Sequence, residues 1–412
     1  MKQALTAGDH LAQTEPTRVR AGSPAAFLSV VPYLLGFVPQ SSLVVVGTEP
    51  DGTVKVTLRY DLPDPPDPGQ AAEIAGHALA VIGSQHLAAV LAVGYGPEAL
   101  VRPLAAAFRD AMADGEAELI DFLRVAGGRY WSYTCTSETC CPPDGTPFDT
   151  AGQPATAVMA GDGRKVLADR GALAASIAPL GGLAAESMRQ ATRRAERHLT
   201  QLLARVGKSA RLGAARQLIA AEGLAAVADM IAAYRSGGRY ASDYQLAWLT
   251  VALKDIRVRD DAWARMDPRY TEAHLRLWTD VVRRAQPGHV AAPASLLAFV
   301  AWQAGNGALA NVALDRALAD DGGYSMALLL RQVISAGAPP SMARLPMTPE
   351  EVAACYDELD GLDGLDGLGD LDEYDDDLDD LEEDYDDVDD EDDDDDYPDD
   401  GDRCPCGTSP GD

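Results

Sequence analysis

Three cysteines within seven residues, Cys135-x4-Cys140-Cys141, followed by Pro142-Pro143, are the most unusual chemistry-bearing group in this chain. Thiols placed this way can ligate a soft metal or form a redox pair, because the thiolate is both nucleophile and donor. The plainer alternative is a packed turn. Adjacent cysteines fit poorly around one ion, no histidine is close in sequence, and zinc asks for four ligands where at most three are available.

Gly94-Tyr95-Gly96-Pro97-Glu98-Ala99 matches G-x-G-x-x-A. Such a turn can offer backbone N–H groups and a helix N-terminus to phosphate, which makes Gly94 and Gly96 phosphate-turn candidates. Pro97 removes one donor, and the acidic residue expected after the next strand is poorly matched. An ordinary strand-to-helix turn is therefore the stronger reading. Arg189, Arg193, Arg194 and Arg197 open a segment, 189–216, that carries a net charge of +7. Arg189, Arg193 and Arg197 share one helical face at i, i+4, i+8, and this face is a candidate for anion binding or for an acidic protein surface. The alternative is a solvated arginine face. The six histidines are scattered, and no Ser, His and Asp grouping suggests a triad.

The elements that must position these groups change character along the chain. Ser42–Gly47 is a valine-rich apolar run and 53–60 alternates, with Pro50-Asp51-Gly52 between them, so a hairpin is expected. Residues 61–69 are a Pro-rich loop leading into a helix over 70–86. Strands are expected at 87–93 and 118–125, with a helix from Pro97 between them, and Gly127-Gly128 turns the chain into 129–135. Strands separated by helices argue an α/β domain with a mixed sheet and covering helices over 18–181. From about Gly182 the spacing becomes helical. Trp302, Gly305 and Ala308 followed by Ala313 and Ala317 resemble one tetratricopeptide-type hairpin, so 182–343 reads as an all-α, repeat-like domain.

Charge separates the rest. Residues 357–402 hold 29 carboxylates and no Lys or Arg, so nearly all of the formal −31 lies there. The expected order is a flexible 1–17, the two domains, a linker over 344–356 and a disordered acidic tail over 357–412. Near its end, Cys404 and Cys406 begin like a small zinc motif but supply two ligands only. The N-terminal MKQALTAGDHLAQTEP has no apolar signal core, so a reducing cytoplasm is the expectation. The near-neutral body lacks aromatic interleaving, which disfavours nucleic acid, and no bilayer span is expected.

Two stretches carry a family resemblance: SPAAFLSVVPYLLGFVPQSSLVVVG (Ser23–Gly47) and RYWSYTC…CCPPDGTPFD (Arg129–Asp149). Together they resemble an uncharacterised bacterial family, common in actinomycetes, over roughly Arg18–Ala343. The resemblance implies one domain type and brings no catalytic residue, substrate or cofactor. Two functions are expected from different classes. One is a non-catalytic interaction or regulatory module, with a protein partner or the chain's own acidic tail on the basic helix. The other is an enzyme or a small-ligand or metal binder using the Cys135–Cys141 loop.

Overall fold

A computed structural model describes residues 21–362, apart from 114, 116, 151, 162–164, 206–211, 241 and 343–346. The expected flexible N-terminus, the tail from 363 onward, and Cys404 and Cys406 lie outside the described residues.

Helix α1 (Pro24–Leu35) starts where sequence chemistry says it can. The Ser23 hydroxyl caps Ala26 N–H at 3.2 Å, Pro24 occupies the first turn, and Gly36 ends the helix at φ +80°. Strands β1 (Ser42–Thr48) and β2 (Val54–Asp61) form the expected hairpin, followed by α2 (Pro68–Ser84), β3 (Ala89–Tyr95), α3 (Glu98–Met112), β4 (Glu118–Ala126), β5 (Arg129–Ser132) and β6 (Thr146–Pro147). The sheet order is β2-β1-β3-β4-β5-β6. It is mixed, with β3 and β4 its one parallel pair, because α3 is the crossover that brings the chain back in the same direction.

All seven residues of β1 are buried, the signature of a strand covered on both faces. Leu43 and Val45 pack with Ala71, Ala75 and Ala78 of α2 and Leu104 and Phe108 of α3. Val44 and Val46 face the other way, into a cluster shared with Phe27, Leu28 and Val31 of α1 and with the helices that follow. Those helices are α4 (Pro154–Gly161), α5 (Arg170–Ser176), α6 (Gly182–Arg205), α7 (Leu212–Arg235), α8 (Asp243–Ala252), α9 (Ile256–Ala264), α10 (Thr271–Arg284), α11 (Ala291–Gln303), α12 (Gly307–Asp320), α13 (Ser325–Ser335) and α14 (Pro349–Leu362). Every residue of α11 from Ala291 to Trp302 is buried, which makes it the central helix of this half. One apolar cluster joins sheet and helices, and the chain through Leu359 is a single compact unit. The core is thus continuous across the boundary expected between 181 and 182.

One sequence expectation needs amending. The linker expected over 344–356 contains the start of α14. Thr348 and Glu351 cap it reciprocally, Thr348 N–H to Glu351 Oε2 at 2.6 Å and Glu351 N–H to Thr348 Oγ1 at 3.2 Å. Val352 is buried, Tyr356 donates to Asp260 at 2.7 Å, and Asp357 pairs with Arg257 at 2.7 Å. Asp357 therefore belongs to the packed body rather than opening the tail. By length and composition alone, 217–235 of α7 is also long and apolar enough to cross a membrane, with a mean hydropathy of 1.3. In this fold its Val227, Met230, Ile231 and Tyr234 enter the shared core.

Candidate metal centre

Gly127 and Gly128, at φ +57° and +73°, make the tight turn that sends β4 into β5. Pairing of Leu123 with Ser132 brings the end of β5 beside the middle of β4, and there Asp121 gathers the next residues. Its Oδ1 accepts from Ser132 Oγ at 2.7 Å and from Thr134 Oγ1 at 2.6 Å. The Ser132 oxygen in turn accepts from the amides of Thr134 and Cys135, at 3.2 and 3.0 Å. This is a serine turn closing on its own backbone, and it sets the direction in which Cys135 leaves the strand.

The loop then folds back. The amides of Cys140 and Cys141 both donate to the Ser137 carbonyl, at 3.1 and 2.7 Å. Trp131 Nε1 holds the Pro143 carbonyl at 2.9 Å and Arg129 Nη1 the Gly145 carbonyl at 2.7 Å. Beneath the loop, the Arg124 guanidinium lies 3.6 Å from the centre of the Trp131 ring. The outcome is that the sulfurs of Cys135, Cys140 and Cys141 all lie within 4.8 Å of one another. One carbonyl takes both amides, so the adjacent Cys140 and Cys141 sit on a single turn with both sulfurs near that of Cys135.

Electrostatics distinguish the three. The backbone N–H of Ser137, followed by the thiol of Cys141, holds Cys135 below its ordinary value, while desolvation and the Asp121 carboxylate oppose them. Burial and hydrogen bonding to Cys135 push Cys141 up to about 12. Of the two, Cys135 is therefore the thiol that gives up its proton more readily, with Cys141 as a donor to it. The three cysteines form the one such grouping of potential metal ligands among the described residues.

Gly94 and Gly96 are set elsewhere. Gly94 lies on β3, where it pairs with Arg124 of β4, and Gly96 N–H donates to the Val125 carbonyl at 3.0 Å, so the glycine turn stands two strands away from β5, which leads into the cysteine loop. Close packing accounts for both glycines. A Cβ on Gly94 would lie 2.8 Å from Val101 Cγ2, and one on Gly96 would lie 2.8 Å from Leu62 Cδ1. An apolar cleft of about 340 Å³ does lie beside this turn, lined by Leu28, Pro32, Val38, Tyr95, Val125 and Phe148 among others. The arginine stripe is partly neutralised within α6. Arg189 binds Glu186, Arg193 stands 4.0 Å from the same carboxylate, and Arg194 lies 4.6 Å from the Tyr244 ring centre, while Arg197 is exposed.

The residues that shape the thiol cluster (Asp121, Trp131, Ser132, Thr134 and Ser137) were not singled out by the sequence reading. The Ser-x-Thr-Cys spacing of a serine turn was the available signal.

Fold and site together define a class: a mixed sheet walled by helices on both faces, with a three-thiol loop joining β5 to the edge strand β6. The chain belongs to the DUF4192 family, described as a domain of unknown function, whose family model matches residues 24–341. No curated protein and no solved structure matches it.

Proposed function

We propose that this protein is a binding module for a thiophilic metal ion, held by Cys135, Cys140 and Cys141. The observation that carries this reading is the convergence of three sulfurs within 4.8 Å on a loop fixed at both ends by hydrogen bonds. Sulfur donors select soft or borderline ions over Mg²⁺ and Ca²⁺, and a preformed loop lowers the ordering cost of binding. A reducing, cytoplasmic setting keeps such thiols available. The test is a Cd²⁺ titration of the full chain carrying Cys355→Ser, Cys404→Ser and Cys406→Ser. One equivalent giving sulfur-to-metal charge-transfer absorption is expected, and it is lost in a further Cys135→Ser. No such absorption would overturn the reading.

A second reading, of a protein-interaction or regulatory surface, is favoured by α13. Leu328, Leu329 and Val333 are 46%, 62% and 37% exposed, an apolar face on a helix packed against the α11–α12 pair. Pull-down that depends on these three side chains would support it.

A further inference from the structure

Resting on the metal reading above, we infer that the ion suited to this loop is a trivalent, three-coordinate thiophile of the arsenite or antimonite class. Donor number comes first. The loop supplies three sulfurs, and the nearby Asp121 Oδ1 already accepts two hydroxyl hydrogen bonds at 2.7 and 2.6 Å. A tetrahedral divalent ion would lack one protein ligand, whereas a pyramidal trivalent ion is complete with three. Spacing agrees: with metal–sulfur bonds of about 2.3 Å, three-coordinate sulfurs sit at most about 4.0 Å apart, so sulfurs within 4.8 Å need only a small closure.

Charge is the second argument. Around the loop the carboxylates of Asp121, Glu138 and Asp144 outnumber the guanidiniums of Arg124 and Arg129 by three to two. Three thiolates on a monovalent or divalent ion would leave net negative charge on an already acidic loop. On a trivalent ion they leave none. The protons balance as well. Neutral arsenous acid, As(OH)₃, reacts with three thiols to form three As–S bonds and three waters, with no change of oxidation state. Each departing hydroxide takes one thiol proton and leaves as water.

The experiment uses the full chain with Cys355, Cys404 and Cys406 replaced by Ser, reduced with a phosphine. Arsenite, Zn²⁺ and Cd²⁺ are titrated in parallel, with free thiols and proton release counted. One arsenite is expected to consume three thiols without releasing protons, and to compete at least tenfold better than Zn²⁺. Cys140→Ser is expected to lower arsenite affinity by tenfold or more while leaving the melting temperature unchanged. Binding of Cd²⁺ or Zn²⁺ without arsenite would overturn this inference and leave the metal reading standing. Binding of none of the three would overturn both. Arsenite consuming only two thiols, with Cys140→Ser silent, would overturn three-coordination.

Discussion

Gly145 stands against the face of Trp131 so closely that a Cβ on it would lie 2.7 Å from the indole Cζ2. Its φ is +77°, in the left-handed region that side chains resist. Two independent constraints thus converge on one position, and both serve to return the cysteine loop to the sheet edge. Gly145→Ala is expected to cost about 1–3 kcal/mol, read by chemical denaturation, and to weaken Cd²⁺ binding at the three thiols. A Gly145→Ala chain with unchanged stability and metal affinity would remove the indole platform from the account.

Two strands away, on β3, Gly94 accepts Val101 of α3 against its backbone. Gly94→Ala is expected to destabilise the fold by about 1–3 kcal/mol through overpacking. Combining it with Val101→Ala should recover part of that loss, giving a non-zero coupling energy in a double-mutant cycle. Strict additivity would point away from packing and back toward a phosphate-binding turn.

His274 on α10 is 1% exposed, and both its ring nitrogens lack partners among the described residues. Burial, aided by Arg235, lowers its pKa to about 4, with Asp267 opposing. The folded chain therefore binds fewer protons than the unfolded one between about pH 6.5 and 4. Stability from this group is fully present above about pH 6.5 and falls as pH drops through that window, by about 3 kcal/mol in all. His274→Leu is expected to flatten this part of the denaturation-versus-pH curve. An unchanged slope would reassign the acid sensitivity.

Helix α14 gives a fourth test. Thr348→Ala removes the reciprocal cap and is expected to cost about 1 kcal/mol of helix stability. Tyr356→Phe removes the hydrogen bond to Asp260 at a similar cost of about 1 kcal/mol. Truncation after 362 should leave the melting temperature near that of the full chain, while truncation after 348 should lower it by several degrees, read by calorimetry.

The same helix shows why part of the fold was legible in the sequence and part was not. The β1–β2 hairpin is readable because a fully buried strand must be apolar at consecutive positions, and the Pro50-Asp51-Gly52 turn has few other uses. Helix α14 was hidden by composition. Its carboxylates look like the tail that follows, yet Thr348-x-x-Glu351 and the pair Val352 and Tyr356 at i, i+4 were signals of a capped, one-sided helix. The cysteines were visible by type. Their convergence was not, because it depends on hydrogen bonds from Ser132, Ser137 and Trp131 that sequence spacing alone does not specify. Continuity of the core across 181 and 182 was equally invisible, since it rests on which face of β1 meets α1 and the later helices.

The central claim is that three sulfurs of one loop hold a single ion. X-ray absorption at the arsenic edge, on the arsenite-loaded chain lacking Cys355, Cys404 and Cys406, measures this directly. The expected spectrum has three sulfur neighbours at one distance and no oxygen, changing to two sulfurs and one oxygen in Cys140→Ser. An oxygen-dominated shell in the parent chain, or one that ignores the loss of Cys140, would contradict the claim.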